Sequence, residues 1–137
     1  RMSDKLKSME KGINILVVED DAINRLALIQ MLESMGHTAA QAKNGQECLD
    51  ILQNEDFDLV LMDIQMPIMD GLSAAIHIRD GQTLNSDIPI TAITAYAMQG
   101  DEQRFLDAGM NAYLSKPYDI RTLSIAMEKA LSSADQN

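Results

Sequence analysis

The fold is decided by residues 59–71, which read LVLMDIQMPIMDG. The first four residues are apolar, and Asp63 follows them directly. A short apolar run without alternating polar residues is typical of a parallel strand that is buried on both faces of its sheet. Pro67 and the Asp70-Gly71 pair then indicate a loop, because proline and glycine interrupt regular structure. We therefore predict a buried strand that ends at an aspartate.

Four other short strand-like segments flank this one, and helical patterns separate them. The predicted strands are 13–18, 38–42, 59–62, 88–93 and 112–114. The predicted helices are 23–35, 45–52, 72–79, 98–108 and 120–131, with Gly36 ending the first and Asp119 capping the last. Alternation of this kind predicts an α/β fold with a parallel sheet and five helices on both of its faces.

A length of 137 residues fits one domain. Residues 1–12 are polar and carry charges of both signs, so we expect a flexible leader or linker there. The domain itself is predicted over 13–132, followed by a tail at 133–137. Because the chain starts at Arg1 and not at a methionine, we expect a domain excised from a longer protein.

Composition argues against two kinds of partner. The formal net charge is -10, whereas nucleic-acid surfaces need clustered lysine and arginine, so we expect no direct nucleic-acid contact. No apolar run approaches the roughly 20 residues of a membrane helix, and no signal peptide opens the chain.

Cys48 is the single cysteine, and it is predicted to lie in a helix and to take part in the packing of that helix. The expected location is the cytoplasm, without membrane contact by this segment.

Chemically capable side chains follow the predicted strands. Glu19 and Asp20 follow the first strand, Asp63 the third, Thr94 the fourth and Lys116 the fifth. Open α/β sheets bind their ligands at the carboxyl ends of their strands, so these five side chains should meet at one edge.

Three carboxylates in one crevice repel each other unless a cation lies among them. Mg²⁺ prefers oxygen ligands and is commonly held by one or two carboxylates and a phosphate, and Mn²⁺ is an alternative. An aspartate can also attack phosphorus and form an aspartyl phosphate. Such a transfer requires mainly positioning and charge neutralisation, which the cation and Lys116 would supply, while Thr94 donates a hydrogen bond. The set predicts metal-assisted phosphorylation of Asp63.

The motifs resemble the receiver domains of two-component response regulators. The matching segments are 15–21, 61–71, Thr94-Ala95 and Ser115-Lys116-Pro117, and the resemblance extends from about residue 13 to 131. Glu19, Asn24-Arg25 and the segments 66–71 and 94–98 look most like receivers attached to hybrid sensor histidine kinases. The resemblance implies a flavodoxin-like (βα)5 fold with strand order 2-1-3-4-5.

Carried over by position, the resemblance assigns Asp63 as the phosphorylation site. It implies that Glu19, Asp20 and Asp63 hold the metal together with the backbone carbonyl of Gln65. Lys116 would neutralise the phosphate.

The resemblance also assigns switch and tuning roles. Thr94 would move toward the phosphate, and Tyr113 would change rotamer with it. Gln65 and Tyr96 would tune the lifetime of the phosphate. The implied Lys116-Pro117 bond is cis.

The implied partner is a histidine kinase or a histidine-phosphotransfer domain, which would dock near the first predicted helix. The implied readout face covers residues 98–131, and we expect a monomer or weak dimer. Such a domain assists its own phosphorylation and dephosphorylation but is not a classical enzyme. If it comes from a hybrid sensor, the parent would be a histidine kinase, and this domain could be the cytoplasmic part of a membrane-bound protein.

Two other functions are considered. A phosphorylation-independent pseudo-receiver would bind partners without using Asp63. A haloacid-dehalogenase-like phosphatase also uses a strand-end aspartate, but it needs a second carboxylate two residues later, where this chain has Gln65.

Overall fold

Five parallel strands form the centre of the computed structural model, which describes residues 4–95 and 98–134. The strands are β1 (Asn14–Val18), β2 (Thr38–Ala42), β3 (Leu59–Asp63), β4 (Ile90–Thr94) and β5 (Ala112–Ser115). Their order in the sheet is β2-β1-β3-β4-β5, and every pair is parallel. This confirms the predicted parallel sheet with strand order 2-1-3-4-5.

Six α-helices are present among the described residues. They are α1 (Asp4–Lys11), α2 (Ala22–Ser34), α3 (Gly45–Leu52), α4 (Gly71–His77), α5 (Asp101–Asp107) and α6 (Ile120–Ala134). A π-helical segment, Ile78–Gln82, continues α4. Four helices begin at a side-chain cap, because Asp21, Asn44, Asp70 and Asp119 each accept a hydrogen bond from a backbone N–H three residues later. The predicted cap at Asp119 is confirmed.

The sheet separates two apolar clusters. Along β1, Leu16 and Val18 face one cluster, and Ile15 and Val17 face the other. The first cluster includes residues of α3, α4 and α5, whereas the second includes residues of α2 and α6. Because successive strand residues point to opposite faces, a strand covered on both sides must be apolar throughout. Cys48 belongs to the first cluster and is fully buried, as predicted.

The amino-terminal segment differs from expectation. Residues 4–11, expected to be a flexible leader, form α1. Asp4 lies in the first turn and Lys11 in the last, which suits the helix dipole, and Met9 packs against the second apolar cluster. At the other terminus α6 extends to Ala134, two residues beyond the predicted domain end. The boundaries 13–132 stay a prediction, and residues 1–3 and 135–137 lie outside the described residues.

Over the residues that the structure describes, none of the helices is both long and apolar enough to cross a membrane.

His37 connects the starts of two strands. It follows Gly36, whose φ of 93° lets the chain turn after α2. The buried imidazole accepts a hydrogen bond at Nδ1 from the backbone N–H of Ile13, at 3.0 Å. Only a neutral imidazole offers this acceptor, and burial lowers the pKa of His37.

The His37 contact predicts a specific acid sensitivity. Because the folded-state pKa is lowered, the unfolded chain binds more protons than the folded chain below the ordinary histidine pKa of about 6.5. The free energy of unfolding should therefore fall as the pH drops through and below about 6.5. His37→Ala should remove this part of the pH dependence and cost about 1–3 kcal/mol at pH 7.5, because it leaves the Ile13 N–H unpaired. Urea denaturation at several pH values measures both effects.

The matched control is His77→Ala, which removes the other histidine of the chain. It should retain the acid sensitivity that depends on His37. Parallel loss of stability on acidification in the wild type and in His37→Ala would contradict the assignment.

Candidate functional site

The carboxyl ends of the strands bring the predicted site residues to one edge of the sheet. Asp63 is the last residue of β3 and Thr94 the last of β4. Glu19 directly follows β1, and Lys116 directly follows β5. Two backbone hydrogen bonds extend the sheet to these positions, from the Glu19 N–H to the Ala42 carbonyl and from the Lys116 N–H to the Thr94 carbonyl.

Asp63 lies at the centre of the charged contacts. Its carboxylate is buried, and Oδ2 lies 3.2 Å from the Nζ atom of Lys116. The same Nζ lies 3.5 Å from Oε1 of Glu19, so one ammonium contacts two buried carboxylates. Oδ1 of Asp63 accepts a hydrogen bond of 2.9 Å from the backbone N–H of Gln65. Both carboxylate oxygens of Asp63 therefore face a donor.

Burial and neighbouring charges shift the pKa values of Glu19 and Lys116. Burial and the neighbouring Asp63 carboxylate raise the pKa of Glu19 to about 8, although the Lys116 ammonium opposes this. Burial lowers the pKa of Lys116, but the Asp63 and Glu19 carboxylates outweigh burial, and the net direction is upward. A cation bound beside Glu19 would offset the burial and the Asp63 charge that disfavour its ionised form.

The acidic cluster fits a divalent cation. One ligand oxygen each from Glu19, Asp20 and Asp63 lies within 4.8 Å of the others. Octahedral coordination at about 2.1 Å keeps ligand oxygens at most about 4.2 Å apart, so a small closure suffices. Oε2 of Glu19 is buried and has no hydrogen-bond partner among the described residues, whereas Asp20 is exposed and leaves one side open to water. A hard cation with several water ligands matches this donor set.

Asp21, the third acidic residue of this loop, has another role. Its Oδ1 atom accepts a hydrogen bond of 2.9 Å from the N–H of Asn24 and caps α2. Glu19 and Asp20, the acidic pair, are the two residues of this loop that cluster with Asp63, and their role as metal ligands stays a prediction.

The structure describes three of the four residues with predicted switch and tuning roles. Thr94 is buried at the end of β4, and Tyr113, on β5, is 36% exposed with its ring centroid 5.8 Å from that of Phe105. The Gln65 residue is exposed, and Tyr96 lies outside the described residues. The Lys116-Pro117 bond is cis. The dynamic roles of these residues stay predictions.

Two residues near the site were not assigned a role from the sequence. Arg25 is buried in α2, and its Nη1 atom donates to the Glu19 carbonyl at 2.8 Å. Gly71, at the start of α4, packs so closely that a Cβ atom would overlap the Asp63 carbonyl oxygen and lie 3.0 Å from Cα of Ile64. Two features of the sequence could have drawn attention to these residues: an arginine in the first turn of an otherwise apolar helix face, and a glycine at the end of the loop after Asp63.

The model of the response regulator receiver domain family matches residues 15–128. Hybrid signal transduction histidine kinase K of Dictyostelium discoideum is 37% identical over 91% of the chain. The chain spans only 11% of the length of that kinase. The polar-differentiation response regulator DivK of Brucella anthropi is also 37% identical, over 78% of the chain and 86% of the length of DivK.

Solved structures agree with the sequence comparisons. The receiver domain of sensor histidine kinase PA1611 from Pseudomonas aeruginosa PAO1, with magnesium coordinated in its active-site cleft, superposes with a TM-score of 0.78. It is 35% identical, and the match covers 88% of this chain and 98% of the other. A second match, with a TM-score of 0.79 and 34% identity, is the co-crystal structure of the Saccharomyces cerevisiae histidine phosphotransfer signalling protein Ypd1 with the receiver domain of its downstream response regulator Ssk1. It covers 90% of this chain and 92% of the matched chain.

The close approach of Gly71 to β3 predicts a steric penalty. Gly71→Ala should lower the free energy of unfolding by about 1–3 kcal/mol, because the added methyl group must displace the Asp63 carbonyl or the start of α4. Ser73→Ala, in the same turn, serves as the control and should have a smaller effect. Urea denaturation followed by circular dichroism compares the two. Equal stability of Gly71→Ala and the wild type would show that this contact is not close.

Proposed function

The chain belongs to the response regulator receiver domain family, and on this premise we propose that Asp63 accepts a phosphoryl group from a phosphohistidine of a partner protein. The domain is a receiver of two-component signalling. One observation carries the proposal for Asp63: its carboxylate contacts Lys116 and shares a cluster of ligand oxygens with Glu19 and Asp20. Among the described residues, this cluster is the group of carboxylates placed to hold a metal.

The proposed transfer uses groups that are already in place. A carboxylate oxygen of Asp63 attacks phosphorus and forms the new P–O bond. The P–N bond of the phosphohistidine breaks, and its electron pair returns to the imidazole nitrogen of the donor. The Lys116 ammonium neutralises charge on the phosphoryl oxygens, and the Thr94 hydroxyl donates a hydrogen bond to one of them. The side chains mainly position and neutralise, which is what phosphoryl transfer requires.

We propose Mg²⁺ as the cation, with Mn²⁺ as a substitute. Glu19, Asp20, Asp63 and the backbone carbonyl of Gln65 would hold it, and all four offer the oxygen ligands that both ions prefer. When bound, the cation would add to the charge neutralisation that the Lys116 ammonium supplies to the phosphoryl group. The magnesium in the similar Pseudomonas receiver supports this choice.

The proposed donor is a histidine kinase or a histidine-phosphotransfer domain, and the yeast complex of a receiver with a phosphotransfer protein supports it. The first turns of α2 offer a docking surface beside the acidic pair. Ile23 is 79% exposed and Leu26 51% exposed there, so apolar side chains face solvent next to Glu19 and Asp20. Apolar surface adjoining a charged centre suits a partner that must bring its phosphohistidine to Asp63.

The proposed consequence of phosphorylation is a shift between two states of the face formed by α5, β5 and α6. Thr94 would follow the phosphate, and Tyr113 would change its rotamer. The partly exposed ring of Tyr113 beside Phe105 supports this role, because a ring at the surface can reorient without opening the core. Gln65 and Tyr96 would set the lifetime of the phosphate.

The setting of the domain is proposed from its relatives. Because the chain spans a small part of the hybrid kinase it matches, we propose that it can belong to a hybrid histidine kinase and act on the cytoplasmic side of such a sensor. A monomer or weak dimer stays the prediction.

Removing the acceptor should abolish phosphorylation. Asp63→Asn keeps the size and shape of the side chain but loses the nucleophilic carboxylate, so labelling by acetyl phosphate with Mg²⁺ should fall below detection. Intact-mass spectrometry and Phos-tag gels measure the labelling. The control is Asp70→Asn, which should be labelled like the wild type. Asp70 caps α4, and asparagine caps helices equally well.

The same experiment separates the alternatives. A wild-type protein that is never labelled, by acetyl phosphate or by a phosphorylated phosphotransfer domain, would favour the pseudo-receiver. Stable labelling of Asp63→Asn would place the acceptor elsewhere. Rapid turnover of unrelated phosphate esters would favour the phosphatase.

Removing the counter-cation should slow phosphorylation but spare metal binding. Lys116→Met keeps the apolar stem and loses the ammonium that lies 3.2 Å from Asp63, so the labelling rate should fall on the order of 100-fold. Mg²⁺ should still bind, because its ligands remain and a competing positive charge is gone. Calorimetric titration and acetyl phosphate kinetics check both parts. Unchanged labelling kinetics, or equal labelling in wild type with and without chelator, would count against the mechanism.

A further inference from the structure

Arg25 joins three elements beneath the acidic pair. It lies in the first turn of α2 and is 7% exposed. Its Nη1 atom donates to the carbonyl of Glu19 at 2.8 Å, and its Nε atom donates to Oε1 of Gln41, on β2, at 2.7 Å. Burying a guanidinium is costly unless its donors are used, so this position selects an arginine for its contacts.

The Glu19 carbonyl belongs to the peptide unit that links Glu19 to Asp20. Fixing this carbonyl restricts rotation on both sides of the peptide and therefore limits the directions of both carboxylates. The N–H of Glu19 is held as well, by the Ala42 carbonyl at 3.1 Å. The acidic pair is thus anchored from β2 at one end and from the Arg25 guanidinium at its middle.

We propose that Arg25 is a positioning residue that sets the geometry of the Glu19–Asp20 pair for its cation, an inference that rests on the proposed function. It touches neither the cation nor the phosphate in this role. Its contribution is to keep two ligand oxygens in place before the cation arrives. Groups that orient metal ligands from outside the coordination sphere commonly change metal affinity by about 10–100-fold when removed.

Charge repulsion and positioning predict opposite changes in cation affinity when the Arg25 guanidinium is removed. A positive guanidinium near the acidic pair weakens cation binding by repulsion, so its removal would tighten binding if charge dominated. Positioning predicts weaker binding instead. Arg25→Lys separates the two, because lysine keeps the charge but cannot reach both the Glu19 carbonyl and Gln41 with one planar group.

The control is Arg79, a partly buried arginine on the far side of the sheet. Its guanidinium donates to the Gly109 carbonyl at 2.9 Å, the Ser86 carbonyl at 2.8 Å and Oδ1 of Asn111 at 3.0 Å. Asn111 in turn accepts from the N–H of Ile90, at the start of β4 and away from the carboxyl edge. Arg79→Met should destabilise the fold without altering cation binding.

The test measures Mg²⁺ affinity by calorimetry and Mn²⁺ affinity by electron paramagnetic resonance. Arg25→Met and Arg25→Lys should each lower the affinities for Mg²⁺ and Mn²⁺ on the order of tenfold, while Arg79→Met should bind both ions like the wild type. With acetyl phosphate, the Mg²⁺ concentration for half-maximal labelling should rise by the same factor, and the rate at saturating Mg²⁺ should stay near that of the wild type. General destabilisation would not produce this split.

Several results would overturn the inference. Wild-type affinity in Arg25→Met would show that the contact does not position the pair, and tighter binding in Arg25→Met would show that charge repulsion dominates. Wild-type affinity in Arg25→Lys would show that the two-point contact of the guanidinium is not required. If Arg25→Met does not fold, Gln41→Leu removes one anchor of the guanidinium and should weaken binding several-fold; unchanged affinity in Gln41→Leu and Arg25→Lys would refute the role. A wild-type protein that bound no cation would refute the proposed function itself.

Discussion

The contact between Lys116 and two buried carboxylates is the constraint on which the site depends. Asp63 and Glu19 lie close together with little access to water, and burial together with the neighbouring Asp63 carboxylate raises the pKa of Glu19 to about 8. Such a cluster persists only if the backbone holds it in place. The sheet does so, because β1, β3 and β5 end at the same edge and the Lys116 N–H is bonded to the Thr94 carbonyl. The fold thus holds acidic groups close together where their ionised forms are disfavoured, and a bound cation would favour those forms.

The sequence predicted the fold where local and global signals agreed. Strands covered on both faces must be apolar along their length, so 59–62 and 13–18 could be assigned before any pairing was known. The strand order came from the resemblance, since periodicity does not specify which strands are neighbours. Helix α1 was not predicted because its segment is mostly polar and Met9 is the apolar anchor that the structure shows. The π-helical segment after α4 also left no periodic signal, and Gly81, with a φ of 82°, breaks its helical geometry.

The site was predictable to the extent that its residues end strands. Asp63 and Glu19 stand directly after an apolar run, Lys116 follows the short strand 112–114 after one serine, and parallel topology then requires them to meet. Arg25 and Gly71 gave no such signal. The role of Arg25 depends on a carbonyl six residues earlier and on Gln41 across the sheet, and that of Gly71 depends on the absence of a side chain next to β3. Contacts made to the backbone, or made possible by a missing atom, are not visible in residue types alone.

Helix α2 carries the proposed docking surface and the proposed positioning residue Arg25 on opposite sides of one turn. Ile23 and Leu26 face solvent, while Arg25, between them in the chain, holds the Glu19 carbonyl from inside. A helical turn is stiff. A partner that displaced Ile23 or Leu26 would therefore also displace Arg25 and the Glu19 carbonyl, unless Arg25 is anchored at a second point. The second bond of Arg25, to Gln41 on β2, provides this anchoring. If a partner docks on this surface as proposed, the acidic pair would keep its geometry during binding and release. Preorganised charges act most strongly when they do not have to rearrange.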